Sequence, residues 1–194
     1  MSNAAHPLPR RVIADALPGG LARDVTLVIG ARLFLAVFNQ ISIPLPFTPV
    51  PVTGGTFGAL VIGAALGPVR GGAGALLYLA VGVAGLPWFA DGQAGWAFAS
   101  FGYLLGYVAA AIVVGALARR GADRTALRTF ALMALGSLTI YALGVPWLMA
   151  FLGIDLAEVL SLGVLPFLLG DTLKALLAAG LLPGAWKLLD RRPR

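Results

Sequence analysis

Of the 14 lysines and arginines in this 194-residue chain, only Arg32 and Lys174 lie inside a long apolar segment. The others sit at segment ends, and only in every second connection. Arg10, Arg11 and Arg23 precede the first segment, and Arg70 separates the second from the third. Arg119, Arg120, Arg124 and Arg128 fill the gap between the fourth and fifth, and Lys187, Arg191, Arg192 and Arg194 follow the sixth. The three connections in between hold no lysine or arginine; their charges are Asp91, Asp155 and Glu158. Apolar stretches of about 20 residues match a bilayer, and basic residues gather on its cytoplasmic side. The pattern predicts an all-α protein of the plasma membrane: six transmembrane helices in one bundle, both termini cytoplasmic.

The first segment runs from about Val25 to Ile43. The next four cover residues 53–69, 71–90, 97–118 and 129–151, the second being about as short as a spanning helix can be. The sixth runs from about Leu162 to Trp186. A kink is expected near Pro146. The whole chain, 1–194, reads as one integral membrane domain: a cytoplasmic leader over 1–23, the bundle over 24–189 and a basic tail over 190–194. The leader has no continuous apolar core, so no secretory signal peptide is expected.

Composition removes several functions. Charged residues make up 11% of the chain, against about 25% in soluble domains, and mean hydropathy is +0.92. The net charge of +6 sits at helix ends rather than on one face, so no nucleic-acid partner is expected. Without cysteine there is no disulfide, thiol nucleophile or thiolate metal site. The single histidine, His6, lies in the leader. No phosphate-binding GxxxxGK[ST] loop and no HExxH pair occur. The chain is expected not to be an enzyme and to need no cofactor or metal.

Asp171 and Lys174 carry the strongest functional expectation. Three residues apart, they share one helix face, and each costs at least about 2.5 kcal/mol at membrane depth. They either face a cavity or neutralise each other to hold the bundle. The stretch SIPLPFTPVPVTGG has prolines at 44, 46, 49 and 51; it should be stiff and extended, a wall or lid for a pocket. GLPWFADGQAGWAF sets Trp88, Phe89 and Trp96 beside Asp91 and Gln93, as interfacial anchors or as a ligand-site lining. Arg32 lies near the cytoplasmic end of its segment and is expected to snorkel. Asn39 and Gln40, at the other end, either cap the helix or reach the pocket. Glycine pairs four apart, Gly63/Gly67, Gly67/Gly71, Gly102/Gly106 and Gly180/Gly184, suggest close helix contacts or docking faces.

SIPLPFTPVPVTGGTFGALVIGAALGPVRG, YLAVGVAGLPWFADGQAG, FGYLLGY and GDTLK together resemble the BioY family, the biotin-specific substrate-binding components of energy-coupling-factor transporters. The similarity runs from about Gln40 to Ala178. It implies biotin as the ligand, captured at the outer face, and as partners a transmembrane coupling protein and two cytoplasmic ATPases, within membrane lipid. It assigns ligand binding to Asp171 and Lys174, with Lys174 expected at the biotin carboxylate. Asp171 and Gln93 are expected to accept the ureido N–H groups, near Asp91. Trp88, Phe89, Phe101 and Tyr103 are expected to sandwich the rings, and Thr53 to stand at the pocket edge. Two departures stand out: Gly55 replaces the glutamine of TGQTF, and Ser100 and Phe101 occupy a stretch the family usually fills with small residues. The first helix also lacks the small-residue pair expected to dock on the coupling protein. Competing readings are a solitary biotin transporter, a binding component for another vitamin, an intramembrane enzyme with Asp171 as base, and a purely structural subunit.

Overall fold

The computed structural model describes residues 11–190; His6, Arg10 and the basic tail residues Arg191, Arg192 and Arg194 lie outside the described residues. Six helices are present: α1 (Leu21–Gln40), α2 (Gly55–Val83), α3 (Phe101–Ala118), α4 (Ala126–Leu152), α5 (Leu156–Gly163) and α6 (Leu168–Asp190). The fold is mostly but not wholly helical. The proline-rich stretch forms two antiparallel strands, β1 (Ser42–Leu45) and β2 (Thr48–Thr53), with Ser42 opposite Thr53 and Ile43 opposite Val52. Pairing becomes irregular between Ile43 and Leu45, where Pro44 has no N–H to give. An all-α expectation missed this because proline reads as a breaker, whereas its fixed φ also suits an extended strand.

The expected second and third segments both lie in α2. Its only residue outside helical dihedrals is Gly67, at φ 85°. That conformation is open to glycine, and the following Pro68 disfavours helix at residue 67. The chain folds back there: a β-carbon on Gly71 would stand 2.8 Å from Ile62 O and 2.9 Å from Gly63 Cα. Elsewhere the expected bounds shift. α1 begins at Leu21, inside the expected leader, and ends at Gln40. α3 begins at Phe101, and residues 84–100 form a connection with a short 3₁₀ turn over Ala90–Gly92. Before α6, α5 and a 3₁₀ turn over Leu165–Phe167 take up the start of the expected sixth segment. At Pro146 α4 shows no residue outside helical dihedrals. Among the described residues, four helical stretches can cross a membrane by length and composition: Gly55–Val83, Phe101–Ala118, Ala126–Leu152 and Leu156–Asp190. α1, with Arg23, Asp24 and Arg32, is not among them.

Capping fixes the boundaries. Thr125 Oγ1 accepts the Arg128 N–H at the start of α4, and Gly153 closes that helix at φ 69°. Asp155 accepts the Glu158 N–H to start α5. The buried apolar residues form one contiguous cluster drawn from β2 and all six helices, with Leu35, Ala59, Tyr78, Ala110, Leu148 and Ala178 at its centre. Outward faces are apolar too: Leu138, Leu169, Leu177 and Leu181 are all more than half exposed. A helix surface with leucine outside and small residues inside suits lipid rather than water.

Contacts sort the connections to two ends. At one end, Arg70 binds Asp15 at 2.8 Å and Asp24 at 3.0 Å, and Trp186 Nε1 donates to Asp123 Oδ2 at 2.6 Å. Arg124 stacks over the Trp186 ring at 3.4 Å. Burial lifts the Asp123 carboxyl above its ordinary value, only partly offset by the Trp186 N–H and the Arg124 charge. The leader is therefore not merely polar: Val12 and Ala14 are buried under the bundle. At the other end, Thr48 Oγ1 donates to Leu162 O, and Gln40 Nε2 donates to the Trp88 and Phe89 carbonyls.

Candidate functional site

A cavity opens at this second end, with about 570 Å³ of empty space when the open solvent at its mouth is included. Its walls come from four sources. β2 contributes Val50, Pro51 and Thr53; α3 contributes Tyr103 and Tyr107; α4 contributes Ile140 and Tyr141; α6 contributes Asp171 and Lys174. Phe89, Phe98 and Ser100 of the 84–100 connection, Asn39 of α1, Thr56 of α2 and Phe167 before α6 also line it.

Helix periodicity places the polar groups. Tyr103 and Tyr107 are four apart and share the inner face of α3. Asp171 lies in the first turn of α6, where the helix dipole favours a carboxylate. Lys174 Nζ reaches Asp171 Oδ1 at 3.1 Å, with side-chain exposures of 17% and 10%. The other carboxylate oxygen, Oδ2, accepts the Tyr141 hydroxyl at 2.6 Å. A pair within one helix cannot tie two helices together; the tie to α4 is Tyr141. Lys174 has three N–H donors, of which Asp171 is given one. Lys174 lines the cavity together with the aromatic residues of its walls. Such an arrangement offers a cation, an anion and ring surfaces to one small polar ligand.

Thr53 Oγ1 accepts the Gly55 N–H and lies 3.2 Å from the Tyr107 hydroxyl. Tyr103 Oη donates to Gly163 O, pinning α3 to the end of α5. Tyr78 and Phe89 meet edge to face at 5.4 Å between centroids, and Phe89 is held by a backbone bond from its N–H to Gln93 O. Among the described residues no three histidine, cysteine, aspartate or glutamate side chains converge to hold a metal.

Of the expected site residues, Asp171, Lys174, Phe89, Tyr103 and Thr53 line the cavity. Four do not. Asp91 and Gln93 are exposed on the 84–100 connection, Asp91 in a left-handed turn at φ 57° that breaks the extended path of the loop. Trp88 turns away to stack on Arg32 at 4.4 Å, so Arg32 packs on a ring instead of reaching for the interface. Phe101 is buried behind the wall against Trp147 and Phe98. Sequence reasoning passed over Tyr107, Tyr141, Thr56 and Phe167, which do line the cavity. The i, i+4 spacing of Tyr103 and Tyr107 was the one available sign. Gly55, the departure from the family pattern, has a local cause: a β-carbon there would overlap Asn39 Oδ1 and stand 2.6 Å from the Tyr107 hydroxyl.

Fold and cavity together define an apolar helical bundle enclosing a small-molecule site at one end. Residues 6–191 match the BioY family, and the chain belongs to it. The biotin transporter BioY of Rhizobium etli is 33% identical over 168 residues, spanning 81% of this chain and 89% of that protein. The probable biotin transporter BioY of Pyrococcus horikoshii is 34% identical over 157 residues, spanning 79% and 90%. A crystal structure of the S-component for biotin from an ECF-type ABC transporter shares the fold, with a TM-score of 0.77 at 23% identity over 86% of this chain and 92% of that one.

Proposed function

We propose that this protein captures biotin at the outer face of the membrane and delivers it inward unchanged, as the substrate-binding subunit of an ATP-driven energy-coupling-factor module. The observation that carries the reading is the Asp171–Lys174 pair opening into an aromatic-walled cavity under the β-hairpin, in a chain of the BioY family. Biotin matches that lining in kind. Its carboxylate suits Lys174, its ureido N–H groups suit the Asp171 carboxylate, and its apolar ring and chain suit Phe89, Phe98, Tyr103 and Tyr107. The residue roles belong to this proposal.

The same reading places the chain in the plasma membrane as one domain with six crossings, α2 supplying two of them on either side of Gly67, and both termini cytoplasmic. Arg70, Arg119, Arg124 and the end of α6 gather at the end opposite the cavity; the positive-inside tendency makes that end cytoplasmic and the cavity outward. A transmembrane coupling protein and two ATPases would supply the energy, since the chain has no phosphate-binding loop.

Equilibrium binding of biotin to the purified protein in detergent tests the reading, with Lys174→Ala beside the wild type. Losing a charged hydrogen bond should weaken binding roughly 10- to 100-fold. Unchanged affinity in a folded Lys174→Ala protein would remove the lysine from the site, and a wild type without affinity for biotin would remove the function.

A further inference from the structure

Asn39 lines the cavity yet is only 1% exposed, and the protein uses one half of its amide. Nδ2 donates to Tyr78 Oη at 2.6 Å, and Tyr78 donates its own proton to Trp88 O at 3.1 Å. With that proton committed, Tyr78 Oη can only accept. An amide turned the other way would set two acceptors against each other. This arrangement leaves Oδ1 as the free acceptor, a buried atom with no hydrogen-bond partner. Buried carbonyl groups are rarely left so, because the lost hydration goes uncompensated. Gly55 packs closely on this oxygen, and a β-carbon there would overlap it. Gln93, expected beside Asp171 to accept from the ligand, is exposed and outside the cavity lining; with Asp171 taking one of the two ureido N–H groups, Asn39 Oδ1 is left for the other.

Resting on the biotin reading of this cavity, we propose that Asn39 is a specificity-determining residue whose Oδ1 accepts one N–H of the ligand's cyclic urea. The relay from Asn39 through Tyr78 to the Trp88 carbonyl sets the polarity of that contact before the ligand arrives. The site thus selects an N–H donor at this point and rejects an N-alkylated ring. Asn39 touches the ligand; Tyr78 acts through Asn39 and is a positioning residue.

The test compares biotin and its two mono-N-methyl derivatives on wild type, Asn39→Ala and Tyr78→Phe, all purified in detergent. Asn39→Ala should bind biotin roughly 10- to 100-fold more weakly than wild type. One of the two methylated ligands should lose a similar factor on wild type and nothing further on Asn39→Ala. Tyr78→Phe, which frees the amide to turn, should show a reduced preference for biotin over that same ligand; it carries the test if Asn39→Ala does not fold. Equal biotin affinity in wild type and Asn39→Ala would overturn the assignment. So would weaker binding with the N-methyl penalties unchanged, since that marks a purely structural role. If the wild type binds no biotin, the functional reading itself fails and this assignment falls with it, an outcome distinct from both.

Discussion

Tyr141 spends its only proton on Asp171 Oδ2, which leaves Oδ1 to Lys174 and holds the carboxylate at a fixed angle to the cavity. Tyr141→Phe keeps the ring and removes that bond. Biotin affinity should fall roughly 3- to 10-fold and stability by about 1 kcal/mol, read from binding isotherms and thermal unfolding in detergent. An unchanged isotherm would show that Asp171 needs no such support. At this scale the sequence revealed what is energetically expensive. Two ionisable groups in an apolar helix demand a reason, and both line the cavity. The sequence allows Asn39 to be either a cap or a pocket residue, and it lines the cavity; tyrosine carries a polar tip on a body that packs anywhere, so nothing in the sequence said that Tyr107 and Tyr141 converge with it. Asp91 and Gln93 misled for the converse reason: a loop's composition gives its polarity, whereas its dihedrals decide where it points.

The bundle elements depend on close backbone approach. Gly63 faces Ala111, whose O would lie 2.6 Å from an added β-carbon, and a β-carbon on Gly106 would lie 2.7 Å from Ile140 Cα. Gly180 and Gly184, at the same spacing on α6, meet nothing within 4 Å. Gly63→Ala should therefore cost about 1–3 kcal/mol through overpacking, whereas Gly184→Ala should be neutral or slightly stabilising because alanine favours helix. Thermal unfolding in detergent separates them, and equal effects would contradict the assigned contacts. Spacing alone exposed all the pairs without saying which had a partner. Hydropathy placed the break between the second and third segments at Arg70, the visible charge. The chain turns earlier, at Gly67–Pro68, where backbone sterics act. Residues 55–66 make a helical arm of roughly 18 Å, short of the 30 Å or so of hydrocarbon.

Across the whole molecule the charged residues are concentrated away from the cavity, and there they tie the leader to the bundle. Burial alone would raise the Asp15 carboxyl, but its bonds from Arg70 and the Val12 N–H, with the nearby Arg70 and Arg119 charges, bring it below its ordinary 3.8. A depressed carboxylate stabilises the fold above the unfolded value and ceases to do so as pH falls through the folded one. The stability difference between wild type and Asp15→Asn should thus be full at neutral pH and shrink as pH falls from 3.8 through the lower folded value. A pH-independent difference would mean that the Asp15–Arg70 contact does not persist in solution. The two-ended sorting of charge was legible before the fold, since it depends only on which connections carry arginine. The contacts that close each end, Trp186 with Asp123 and Thr48 with Leu162, join residues far apart in sequence and left no local trace.

The central claim is that biotin occupies the cavity between the β-hairpin, α3 and α6. The chain contains no cysteine, so a single introduced thiol reports on one place. Ser100 lines the cavity and makes no capping bond, while Ala94 is exposed on the same connection. Maleimide labelling of Ser100→Cys should slow at least several-fold when biotin is bound, and labelling of Ala94→Cys should not change. Equal labelling of Ser100→Cys with and without biotin, in a protein that still binds it, would place the vitamin elsewhere and contradict the account.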